Sequence, residues 1–163
     1  MTRYACIPLA PAPPAGPVVP AGPAGPSPAV PADPYVTPPL NADPYDRFSS
    51  RSVGPGVTVT LVDISLSAEE AGVIVGWGHE IADDPPGTAA AGFKDCKWRL
   101  LLNGVPHRDY GLVEDQIGQS YLPGPVWVKL RGSVRIQMTV ENTSGSATYI
   151  CFGRLQGWTW RIA

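Results

Sequence analysis

The sequence predicts an all-β fold: a single antiparallel β-sandwich or jelly roll of about eight short strands, behind an extended proline-rich N-terminal arm. Three observations carry that prediction. Fifteen of the 20 prolines fall in residues 1–55, whereas all five tryptophans fall after residue 56. Beyond residue 56 the apolar residues recur in steps of two rather than 3.6, the spacing of a strand with one buried face. Turn dipeptides and Pro-Gly corners interrupt these runs at short intervals. The chain is accordingly divided into an arm over residues 1–53 and a sandwich over 54–163.

The arm opens with prolines at 8, 11, 14, 17, 20, 23 and 26, a strict step of three. Polyproline II has three residues per turn, so this spacing places one proline stripe along one edge of a rod. At about 3.1 Å per residue, residues 8–26 would reach roughly 60 Å. The stretch GPVVPAGPAGPS looks collagen-like, but Val19 stands where a triple helix admits only glycine. Pro17, Pro20 and Pro23 lie mid-rod and are candidate partner contacts. A short repeat follows, ADPYVTPPLN (32–41) and then ADPYDRFSS (42–50). Asp before proline and then tyrosine is turn chemistry that presents a ring. Tyr35, Leu40, Tyr45 and Phe48 are too few to form a core of their own: either they hang in a linker, as the composition favours, or they are anchors docked on a partner surface.

In the second region Val57, Val59 and Leu61 alternate with threonines, then the phase slips so that Val62, Ile64 and Leu66 share a face, as a bulge would cause. Ser67–Ala71 is the one helical candidate, a single capped turn. Val73–Trp77 is a compact apolar run. Lys97–Leu102 runs into Asn103-Gly104, a strong two-residue hairpin signal. Val126–Leu130 follows a Pro-Gly-Pro corner, and Val134, Ile136, Met138 and Val140 alternate with polar residues. After a turn at Asn142–Ser146, Ala147–Phe152 and Leu155–Ile162 close the chain as two further strands. Trp77, Trp98, Trp127 and Trp158 are the expected aromatic core.

Charge and chemistry narrow the role. The net charge is −2, so there is no basic footprint for nucleic acid. No apolar run approaches the roughly 20 residues of a membrane helix, and Met1–Ala10 lacks the long apolar core of a signal peptide. Residues 56–122 carry four basic and ten acidic side chains, and 123–163 five and one, an asymmetry that either interleaved strands average away or a two-sided molecule uses to pack against its own copies or a lattice. Cys6, Cys96 and Cys151 fit no CxxC pattern. They read as free thiols of a reducing cytoplasm, with Cys96 and Cys151 packed as small apolar groups; one disulfide with a leftover thiol is the alternative. His79 and His107 lie on different segments and read as surface-loop residues, so no metal or cofactor is expected. Asp83-Asp84 before Pro85-Pro86-Gly87 reads as a solvated turn rather than a glycosidase pair. No G-x-S-x-G marks a nucleophile, and an enzymatic role is not expected. Trp158 and Trp160 sit two apart on one strand face, either as packing or as a surface platform for a glycan.

The segments KWRLLLNGVP (97–106), PVWVKLRGSVRIQMTVENTSG (125–145) and RLQGWTW (154–160) together resemble the small jelly-roll decoration (cement) proteins and related surface proteins of tailed-bacteriophage particles. The resemblance covers roughly 60–110 residues of the second region and does not reach the arm. It implies a non-enzymatic virion component made in the host cytoplasm. Such a component is often trimeric and clamps neighbouring major-capsid subunits, with no catalytic residues to carry over. Head-fibre, collar and tail-adaptor subunits use the same fold, and a carbohydrate-binding module for host attachment is the reading from another class.

Overall fold

The computed structural model describes residues 33–35, 37–84 and 93–162. The proline rod with Pro17, Pro20 and Pro23, and also Cys6, lie outside the described residues. Among the described residues there are eight strands: β1 (Asp43–Val53), β2 (Thr58–Leu66), β3 (Glu70–Asp83), β4 (Cys96–Leu102), β5 (Val105–Pro106), β6 (Gly124–Arg131), β7 (Val134–Asn142) and β8 (Tyr149–Arg161). They form two antiparallel sheets of four, ordered β1-β8-β3-β6 and β2-β7-β4-β5. Each sheet alternates early and late strands, the order produced when two Greek keys wrap into a jelly roll. The all-β sandwich expected from the alternation is therefore the fold.

Several local readings hold in detail. The phase slip in β2 is a register shift between Thr60 and Val62 in the pairing with β7. Asn103 and Gly104 both take positive φ, 53° and 78°, the backbone of a primed two-residue turn between β4 and β5. Other readings change. Ser67–Glu69 is a turn rather than a helix; the Ser67 N–H donates to Glu70 Oε2 at 2.7 Å, and β3 starts at Glu70. The last two expected strands are one, β8, which runs through Gly153 and Gly157 without a break.

The largest difference concerns β1. Asp43–Val53 lies within the stretch read as arm, yet it pairs with β8 along its whole length, from Asp43↔Thr159 to Val53↔Tyr149. Composition hides it, because an edge strand with mostly exposed side chains carries little apolar signal. The compact unit that contains the sandwich starts at Ala32.

The core between the sheets centres on Trp77, Trp98, Ile74, Leu100, Ile136, Met138 and Leu155. Trp127 and Trp158, expected there, are instead on the outer face of β1-β8-β3-β6. Residues 107–123 close the flank that β6 leaves open. Val113 bridges Trp98 on β4, and the Gly118 carbonyl accepts the His79 N–H from β3 at 2.9 Å.

His79 is thus no surface-loop residue. It is 0% exposed, with its ring centroid 4.7 Å from that of Trp98. The Trp77 indole N–H donates to its Nδ1 at 2.7 Å, which requires an unprotonated Nδ1. Burial pushes its pKa down to about 4, against a weaker opposite pull from a hydrogen bond with the Asp115 backbone. The folded form is therefore the neutral form, while the unfolded chain takes up a proton near pH 6.5. Stability should be full above that pH and fall by about 3 kcal/mol between pH 6.5 and 4. Urea melts across that window should show the slope in the wild-type chain and lose it in His79→Gln.

Candidate interaction surface

Pleating divides β8 cleanly. Tyr149, Cys151 and Leu155 point into the core, while Phe152, Arg154, Gln156 and Trp158 point outward. Trp160 shares that outward face with Trp158, as their spacing predicts, but the two end differently. Trp160 is only 8% exposed because Tyr35 covers it, edge to face at 5.2 Å. Trp158 meets Trp127 of β6 edge to face at 6.2 Å, and Trp127 is 44% exposed. The ring left exposed is therefore Trp127, beside a half-buried Trp158, and not the Trp158 and Trp160 pair. Its signal lay in the sequence: Val126, Val128 and Leu130 alternate around Trp127, which assigns the indole to the outer face with Lys129 and Arg131.

The two Asp-Pro-Tyr units are used differently. In the first, Asp33 Oδ1 accepts the Tyr35 N–H at 2.9 Å, a tight turn that presents the ring. Lys129 Nζ lies 3.3 Å from Asp33 Oδ2 and 4.9 Å from the Tyr35 ring centroid. The Tyr35 hydroxyl donates to the Leu130 carbonyl at 3.4 Å. Tyr35, read from the sequence as an anchor on a partner surface, here packs onto its own sandwich. In the second unit the tyrosine falls on the inward side of β1. Tyr45 packs against the core above Gly157, its hydroxyl donating to the Val73 carbonyl at 3.4 Å, and burial pushes its phenol pKa well up. Tyr45 is a structural residue.

Two of the four expected anchors remain at the surface. Leu40 is fully exposed. Phe48 is 57% exposed and stacks on Phe152, with centroids 6.4 Å apart. Beside it lies an open cleft of about 400 Å³ lined by Phe48, Ser120, Tyr121 and Arg154. Arg154 is held in place by both Asp46 oxygens and by the Ser120 carbonyl at 3.1 Å. That guanidinium holds the Asp46 carboxyl below the usual carboxylate range. Tyr121 and Leu122 add further exposed apolar area next to the sheet. Sequence reasoning missed these two, since nothing local tells a loop tyrosine that faces solvent from one that packs.

Among the described residues no three His, Cys, Asp or Glu side chains converge as metal ligands. Asp84 accepts a hydrogen bond from Ser52, and His107 stacks on Tyr110 at 5.4 Å, both local structural contacts. Asn142 is wholly buried, its amide donating to the Val53 and Ala147 carbonyls at 2.8 Å each. The chain matches no protein-family model and no curated protein.

Proposed function

We propose that the chain is a non-enzymatic virion structural protein: a capsid decoration protein that clamps neighbouring shell subunits through the outer sheet of its jelly roll and its proline-rich arm. The observation that carries this reading is the outer sheet itself. Phe48, Tyr121 and Trp127 remain exposed around it, although Tyr35 and Tyr45 show that the chain covers rings where it can. Exposed aromatics set among charged groups are what protein-binding hot spots require. The resemblance to phage decoration proteins supplies the kind of partner, the major capsid protein or another virion subunit, and a homo-oligomer, with a trimer favoured.

The test is stoichiometry and substitution on purified particles. Hundreds of copies per particle are expected for decoration, a dozen or so would reassign the chain to a collar or fibre, and none would end the reading. Phe48→Ala and Trp127→Ala should each weaken particle binding by about 30-fold, the effect of losing one hot-spot aromatic, with little change in melting temperature. Trp160→Ala should lower the melting temperature instead. A second reading, host-glycan binding, draws on the exposed Trp127 and the half-buried Trp158 beside it. Glycan binding by the free protein that disappears in Trp127→Ala, together with unchanged particle binding, would favour it.

A further inference from the structure

Cys96 and Cys151 are both completely buried, and their sulfurs lie 3.9 Å apart. They come from opposite layers of the sandwich. Cys96 is the first residue of β4 in one sheet, and Cys151 belongs to β8 in the other. They are 55 residues apart in sequence. The pair is free in this structure. The geometry points to a latent inter-sheet disulfide: Cys96 and Cys151 are an oxidation site that locks the two sheets together once the protein meets an oxidising environment.

Three features support the assignment. The sulfurs lie 3.9 Å apart, so closing to the roughly 2 Å of a disulfide asks for a small movement of two short side chains and their strands. A bond here would close a loop of more than fifty residues, the long-loop case in which cross-linking restricts the unfolded chain most. The two thiols are also unequal. The hydrogen bond between them lowers Cys96 and raises Cys151, so Cys96 is the better attacking group.

The chemistry needs a small disulfide, such as oxidised glutathione, as oxidant. The Cys96 thiolate attacks one of its sulfurs, forms a mixed disulfide and releases one small thiolate. Cys151 then loses its proton and attacks the Cys96 sulfur, expelling the second small thiolate. Two protein thiols give up two protons and two electrons in all, and the oxidant becomes two thiols. Because both sulfurs are buried, exchange takes place while the strands are still assembling or when the first residue of β4 opens.

The experiment uses the full chain with Cys6→Ser, so that no other thiol competes. The protein is refolded from denaturant with oxidised glutathione, and separately with a reductant. Oxidation should remove 2 Da, leave no titratable thiol in denaturant, and produce a Cys96–Cys151 cross-linked peptide. The melting temperature should rise by roughly 10 °C, and reductant should reverse the rise. Two free thiols after oxidative refolding would overturn the assignment. So would two glutathione adducts, or a cross-linked species that melts below the reduced one. Since both arms use the same polypeptide, no substitution in the core can obscure the result.

Discussion

A chain cut at residue 50 is expected to lose the fold, whereas a chain that begins at Asp33 keeps it. The first cut removes Asp43–Ser50, most of the eleven-residue β1, and with it the partner of β8 from Thr159 to Phe152. Each net backbone hydrogen bond is worth about 1 kcal/mol, and losing the half-buried Tyr45 ring adds about 1 kcal/mol. The cut also strips Tyr35 from Trp160. Together these losses match the margin of about 5–15 kcal/mol that keeps a domain folded. They also turn β8, which carries Ile150, Phe152, Leu155, Trp158 and Trp160, into a bare edge inviting aggregation. The second cut leaves the Asp33–Lys129 pair, Tyr35 and every strand in place. Circular dichroism and urea unfolding should show a cooperative transition for 33–163 and none for 51–163. A cooperative transition of 51–163 at the full-length midpoint would show β1 to be dispensable. For the proposed function the consequence is practical: only the cut at Asp33 tests the arm without destroying its platform.

Gly157→Ala should be among the most damaging single methyl groups in the β1-β8-β3-β6 sheet. A Cβ at this position would sit 2.0 Å from the Val73 carbonyl oxygen and 2.6 Å from the Tyr45 hydroxyl. Neither neighbour is free to yield, because Val73 lies in the β3–β8 ladder and Tyr45 is wedged above the same spot. Strands β3 and β8 would have to part locally. The expected cost is about 3 kcal/mol or more, the upper end of overpacking, and roughly 10 °C in melting temperature. Gly145→Ala, with nothing within 4 Å of its added methyl, is the matched control and should be neutral. Adding Tyr45→Phe removes the hydroxyl contact but not the carbonyl clash, so the double variant should stay destabilised. Full rescue would mean that the tyrosine, not the backbone, sets the spacing.

Much of the fold was legible because a half-buried strand writes its alternation into the chain. The β2 slip, the Asn103-Gly104 turn and the β7 alternation each rest on backbone geometry that neighbouring residues specify by themselves. β1 was not legible. Its inward positions include Tyr45 and Val53, but Arg47, Ser49 and Arg51 lie between them, and no local rule separates such an edge strand from an arm. His79 was misread for a related reason. Its burial depends on Gly118 and Trp98, which approach from distant segments. For Trp158 and Trp160, spacing places both rings on one face but cannot foresee that Tyr35 covers one of them.

By itself, then, the sequence determined the strand class, most of the strand order along the chain, and which side chains share a face, because those follow from a two-residue period and a few turn dipeptides. The tertiary structure alone decided which faces are covered. It turned one Asp-Pro-Tyr unit into a clasp and the other into core, brought two cysteines 55 residues apart into contact, and left Trp127 in the open. Burial is a property of what arrives from elsewhere in the chain, and a one-dimensional pattern does not contain those arrivals.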